Sequence, residues 1–187
     1  MSVQFNPERH EYSVDGRVIP SVTQILKDIG VIETRWYTAE GRNRGSTVHE
    51  YLELYDRGLL DPNVVEPEYR GYIDAYLDFL ACSKVEYEQI EEPVAHPVYK
   101  FAGTPDRVGK INDTACVLDI KSGSSVDWHG LQLAGYALAL GNGHDLYALY
   151  IKEDGKWTTK TWDAREYQKI FLSYVIGWWY IERRVKK

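Results

Sequence analysis

Two carboxylates and an ammonium stand at a spacing that suits phosphate chemistry. They lie in Gly103-Thr104-Pro105-Asp106-Arg107-Val108 and in Val117-Leu118-Asp119-Ile120-Lys121-Ser122-Gly123. Asp106 and Asp119 are 13 residues apart (119 − 106), and they converge at one point of a sheet if each lies on one strand of a hairpin. Alternation along a strand then puts Asp119 and Lys121 on one face and turns Ile120 toward the core. Two carboxylates and a backbone carbonyl can hold Mg²⁺ or Mn²⁺ through oxygen ligands. Such an ion polarises a phosphate and makes water a better nucleophile, and a neighbouring lysine offsets charge that grows in the transition state. A second D-x-K run, Asp154-Gly155-Lys156, sits in an expected turn. Nothing there fixes its side chains on one face, so it is given no role.

The elements that must position these groups can be read from pattern. Tyr12–Val14 and Arg17–Ile19 flank Asp15-Gly16 as a hairpin, a favoured two-residue turn. Ser21, with Gln24 three residues on, reads as a helix N-cap, and the short helix it opens stops at Gly30. Further helices are expected over Gly45–Asp56 and Pro67–Cys82. Strands follow over Val85–Val94, Val98–Val108 and Cys116–Ile120, then a buried helix over Leu131–Leu140. Strands over Leu146–Lys152 and Trp157–Trp162 come next, and a last helix from Asp163 ends in the basic tail Arg183–Lys187. This order predicts one α/β domain over residues 1–187, with a mixed central sheet and helices on both sides. Residues 1–84 form a hairpin-and-helix part and residues 85–187 the catalytic core.

Composition narrows the function. The net charge is −6, from 28 acidic and 22 basic residues, which argues against a protein that merely coats nucleic acid through lysine and arginine. A site for a hard cation, by contrast, needs clustered acids. The only two cysteines, Cys82 and Cys116, cannot by themselves build a four-cysteine zinc site or an iron–sulfur cluster. With no signal peptide and no membrane-spanning run, a cytoplasmic protein with no membrane partner is expected.

Four ordered motifs carry a resemblance. GTPD, LDIKSG and Gln132-Leu133-Ala134-Gly135-Tyr136, preceded by Arg44-Gly45-Ser46-Thr47-Val48-His49, resemble the PD-(D/E)XK nuclease superfamily in its RecB-like exonuclease branch. Ile19-Pro20-Ser21-Val22-Thr23 is similar to N-termini of phage-encoded members. The resemblance implies a restriction-endonuclease-like core and metal-dependent hydrolysis of DNA. His49, Asp106, Asp119 and the Ile120 carbonyl become the metal ligands and Lys121 the catalytic lysine. Glu91 matches a further acidic catalytic position, which neighbouring Glu92 can also fill. Gln132 and Tyr136 either contact substrate or brace the site. Members with iron–sulfur clusters carry four cysteines, so no cluster is expected.

Arg42 and Arg44, with Lys100, Arg107 and Lys110, form either a phosphate-binding rim or simply solvated faces. Trp36 and Tyr37 can stack on a frayed base. The resemblance implies DNA as the partner, with a phage recombination or replication protein beside it. Exonuclease action is the leading expectation. A structure-selective, resolvase-like endonuclease is the rival, and a non-catalytic nuclease-like binding module is the reading from outside the enzymes.

Overall fold

The computed structural model describes residues 3–33, 38–141 and 143–185. Trp36, Tyr37 and the last two residues of the basic tail, Lys186 and Lys187, lie outside the described residues. The expected hairpin is present as β2 (Glu11–Val14) and β3 (Arg17–Ile19), and Asp15 and Gly16 take the left-handed conformations its turn requires. A strand not anticipated, β1 (Val3–Asn6), pairs with β2 and completes a three-stranded sheet. Ser21 caps α1 (Val22–Asp28), its hydroxyl accepting from the Gln24 N–H at 2.9 Å.

Helix α2 (Ala39–Asp56) begins six residues before the expected Gly45 (45 − 39). Gly41 and Gly45 argue against an early start because glycine weakens a helix interior. The start is nevertheless capped, since Thr38 Oγ1 accepts from the Gly41 N–H at 3.0 Å. Helix α3 (Pro67–Cys82) has the expected bounds.

The expected strand over Val98–Val108 does not form. The chain runs through β4 (Val85–Ile90), β5 (Val94–Ala95), β6 (Ala102–Gly103) and β7 (Arg107–Ile111). Glu91 (φ 52°) and Lys100 (φ 53°) are left-handed turn residues that a continuous strand cannot contain, and Pro93 and Pro105 lack the N–H a ladder needs. From β7 a tight turn, with Asn112 and Asp113 both left-handed, leads into β8 (Thr114–Lys121). Then come α4 (Trp128–Leu140), β9 (Asp145–Ile151), β10 (Trp157–Trp162) and α5 (Ala164–Val185).

The central sheet has the order β10-β9-β8-β7-β4. Only β8 and β9 pair in parallel, and α4 is the crossover that a parallel pair needs. One face of the sheet packs Val108, Val117, Leu146 and Ala148 against α1, α4 and α5. The other packs Ile111, Leu118, Ile120 and Leu149 against α2 and α3. The fold is therefore a single mixed α/β domain with helices on both faces, consistent with a restriction-endonuclease-like core. No helix among the described residues is long and apolar enough to cross a membrane.

Candidate active site

Four elements meet at one end of the β7–β8 hairpin. Asp106 stands immediately before β7, and its Oδ2 accepts the Ile120 N–H at 2.6 Å. The side chain thus extends the ladder by one bond and fixes the carboxylate beside β8. In an extended strand a residue's N–H and C=O point to the same side, so the Ile120 carbonyl also faces Asp106. Asp119 and Lys121 share the opposite face from Ile120, which is buried in the core.

Glu91 follows β4, and its N–H donates to the Asp106 carbonyl at 3.0 Å. The left-handed turn at Glu91 aims its carboxylate at the same point, whereas Glu92 is exposed. Helix α2 brings His49 over both acids: Nδ1 lies 3.5 Å from Asp106 Oδ2 and 3.9 Å from Glu91 Oε1. One ligand atom from each of His49, Glu91 and Asp106 lies within 4.8 Å of the others. Oxygen or nitrogen atoms about 2.0–2.6 Å from one cation stand at comparable separations, so the trio fits a divalent ion. Burial pulls the His49 imidazole down, but Asp106 and Glu91 lift it to about 9. It therefore carries a proton at neutral pH and must release it to act as a ligand.

Asp119 lies outside that trio. It is almost fully buried, and its Oδ2 is paired with Lys121 Nζ at 2.5 Å. Burial raises the Asp119 carboxyl, partly offset by Lys121. Burial also pulls the Lys121 ammonium down, but Asp119 and Asp106 reverse this and hold it above the ordinary lysine range. Lys121 Nζ donates to Gln132 Oε1 at 3.2 Å, and Gln132 Nε2 donates to the Tyr136 hydroxyl at 2.9 Å. Both α4 residues are buried, so this chain of bonds holds the ammonium from behind.

The glycine of GTPD has a physical reason. A Cβ at Gly103 would stand 2.4 Å from Cε1 of the Tyr136 ring. Gly103→Ala is therefore expected to push Tyr136 off Gln132 and to lower stability by about 1–3 kcal/mol, the usual cost of overpacking. Urea unfolding measures this, and an unchanged midpoint would show that the ring is free to move.

The structure separates the basic residues. Arg42 and Arg44 line a cleft of ≈ 550 Å³ that also takes in His49, Lys121, Ser122, Gly123 and Trp128. Arg107 does not belong to any rim: it is 1% exposed, its Nε bonds Asp56 Oδ2 at 2.7 Å, and its Nη1 donates to the Asp106 carbonyl at 2.6 Å. Side-chain alternation at the head of β7 turns it into the protein. Lys110 is exposed near the far end of β7, opposite Ala115. Lys100 lines a separate cleft with Trp179 and Arg183. The second D-x-K run is an exposed turn, with Lys156 Nζ 2.7 Å from Asp154.

Sequence reading missed Asp56, which anchors Arg107, although a signal existed. His49, Glu53 and Asp56 recur at steps of four and three, one face of α2. It also missed Trp128, four residues before Gln132 on the face that carries Gln132 and Tyr136.

No family model and no curated protein matches this chain. Among solved structures, one that matches is described as the crystal structure of LHK-Exo in complex with dAMP. It shares 13% sequence identity over 90% of this chain and 93% of that one, with a TM-score of 0.39. So distant a likeness carries no argument about the chemistry of this chain.

Proposed function

We propose that this chain is a divalent-metal-dependent deoxyribonuclease of the RecB-like PD-(D/E)XK type, acting as an exonuclease in phage or recombination DNA processing. On this reading residues 1–187 work as one nuclease domain. The observation that carries it is the meeting of His49, Glu91 and Asp106 ligand atoms within 4.8 Å, beside a lysine paired with a buried carboxylate.

His49, Glu91 and Asp106 would hold Mg²⁺ or Mn²⁺, with Asp119 and the Ile120 carbonyl, the other ligands the resemblance implies, beside them. The donor set, carboxylate oxygens and one imidazole with no thiolate, is of the kind these cations take. When bound, the ion supplies Lewis-acid polarisation of the phosphate and activation of water. The protein does the rest. Lys121 donates to the phosphate oxygens on which charge grows. Gln132 and Tyr136 keep its ammonium in place. Arg42 and Arg44 draw the strand's phosphates into the cleft, which an acidic chain can do only through such local cations.

The test is a cleavage assay on linear and circular DNA beside an anisotropy titration, each run in Mg²⁺, Mn²⁺, Ca²⁺ and chelator. Cleavage is expected in Mg²⁺ or Mn²⁺. Ca²⁺ takes more ligands at longer distances, so it is expected to support binding without cleavage. Loss of linear DNA alone indicates an exonuclease, and nicking of the circle the resolvase-like alternative. Shifted bands with both DNAs intact would indicate a binding module, and full activity in chelator would refute the metal mechanism.

A further inference from the structure

The last turns of α5 carry a second stripe besides the one that faces the core. Phe171, Val175 and Trp178 turn inward. Ile176, Trp179, Tyr180, Arg183 and Arg184 recur at steps of three and four, which puts them on a common face. That face looks onto the turn that carries Val98, Tyr99 and Lys100, and the two enclose a cleft of ≈ 520 Å³. It shares no lining residue with the cleft at Lys121. Both walls are fixed. His96 Nδ1 accepts the backbone N–H groups of Val98 and Tyr99, each at 3.1 Å, and the His96 ring stacks on Phe101. Trp179 Nε1 donates to the Tyr99 carbonyl at 2.8 Å, which ties the turn to the helix.

The lining is apolar in the middle and cationic at the rim. Val98, Ile176 and Tyr180 are 73%, 57% and 64% exposed. Apolar side chains exposed singly are ordinary, but a cluster rimmed by charge marks a contact surface. The charge is all of one sign: Lys100, Arg183 and Arg184 line the cleft, and among the described residues that line it none is acidic. The chain as a whole has a net charge of −6, so this is a local reversal of sign. The guanidiniums are also placed in advance. Arg183 lies over the Trp179 ring, 5.5 Å from its centre, and Arg184 over the Tyr180 ring at 5.6 Å. A ring face orients the planar fork and leaves its N–H edge to a carboxylate.

We infer that this cleft docks an acidic peptide segment of a partner protein, with carboxylates on Arg183 and Arg184 and an apolar side chain seated between Val98, Ile176 and Tyr180. Charge complementarity carries the choice of occupant. A nucleic-acid duplex presents its phosphates outward and would leave the apolar wall against water. A second copy of this chain, meeting the same face by a two-fold axis, would bring like cations together. The inference does not rest on the nuclease reading, because the cleft and the candidate metal ligands have no residue in common.

Binding is measured by fluorescence anisotropy of the whole chain in chelator, with a labelled peptide in which a run of aspartates adjoins a phenylalanine and a leucine. Two control peptides carry asparagine for aspartate, or serine for the apolar pair. The acidic–apolar peptide is expected to bind on the order of tenfold more tightly than either control, the scale of one hydrogen bond to a charged group. Added NaCl should weaken it, because exposed ion pairs are screened. Arg183→Glu/Arg184→Glu should bring it to the level of the asparagine control. Ile176→Asp sets a carboxylate on the apolar wall and should also lower affinity on the order of tenfold. Ile176→Ser, the milder change, stands as the test if Ile176→Asp does not fold. Equal binding of the three peptides by the parent chain, or undiminished binding by the folded variants, overturns the inference. So does a cleft that serves another occupant: blunt duplex or phosphatidylserine vesicles whose binding falls in Arg183→Glu/Arg184→Glu without any peptide preference, or a dimer in sedimentation that Ile176→Asp dissociates. Cleavage of short linear DNA is expected to be unchanged in these variants. A loss of cleavage in step with the loss of peptide binding would assign the cations to DNA and overturn the inference as well.

Discussion

Asp119→Ala is expected to abolish cleavage and to weaken divalent-cation binding, whereas Lys121→Ala keeps the cation and lowers the cleavage rate by about 10²–10³-fold. The two side chains touch, yet they are given different tasks. Asp119 offers a buried carboxylate, so truncating it takes away a ligand. Lys121 offers a positive charge aimed at the cleft, and removing one donor to a developing charge costs a factor of that size. Losing the ammonium also removes the group that competes with a cation for Asp119, so affinity for Mn²⁺ should not fall. Calorimetric titration of Mn²⁺ into both variants, next to single-turnover cleavage, separates the effects. Near-normal turnover by Lys121→Ala would mean that the wrong lysine has been assigned. Cleavage by Asp119→Ala would mean that His49, Glu91 and Asp106 suffice without it.

The range of the forces involved decides which parts of the chain can be read from its sequence. Helix α3, β10 and the Asp15-Gly16 hairpin were legible because their signals are local: an apolar face at helical spacing, an alternating strand, a turn that two residues decide. The region from 91 to 106 was not. Its course depends on Glu91 and Lys100 taking left-handed conformations, which neither residue type announces, and on pairings such as Ala102 N–H to Pro20 O across the molecule. The early start of α2 was hidden by its own glycines. In the site, spacing named Asp106, Asp119 and Lys121, and the resemblance added His49 and Glu91, but neither gave the bonds between them. That Gln132 would bond the ammonium and that Glu91 rather than Glu92 would turn toward His49 are facts of tertiary packing. Arg107 was the residue whose type misled, because an arginine beside an acidic motif suggests a phosphate contact. Its strand position, one residue past Asp106 and so on the opposite face, carried the opposite message.

Arg107→Leu is expected to destabilise the fold by about 3–5 kcal/mol, the cost of stripping the partner from a buried ion pair. The guanidinium is 1% exposed, with Nε 2.7 Å from Asp56 Oδ2, Nη1 2.6 Å from the Asp106 carbonyl and 3.5 Å from Glu91 Oε1. Tyr76 donates to the same Asp56 oxygen at 2.7 Å. Burial would pull the guanidinium toward its neutral form, but Asp56 more than reverses this and keeps it charged. Burial raises the Asp56 carboxyl, with Arg107 opposing the rise. Each charge is thus tolerable only because the other is there. Leucine at 107 leaves Asp56 in the core with only the Tyr76 hydroxyl and leaves the Asp106 carbonyl with the Glu91 N–H alone. The double variant Arg107→Leu/Asp56→Leu removes both charges and is expected to recover much of the loss, since a buried pair replaced by apolar groups is often near neutral. Urea unfolding of the two single variants and the double variant, without added metal, reads the coupling directly. A surface phosphate contact would behave otherwise: Arg107→Leu would stay within about 0.5 kcal/mol of the parent and lose DNA affinity instead. That outcome would return Arg107 to the rim and remove the tie that runs from α2 through Asp56 to the backbone of Asp106.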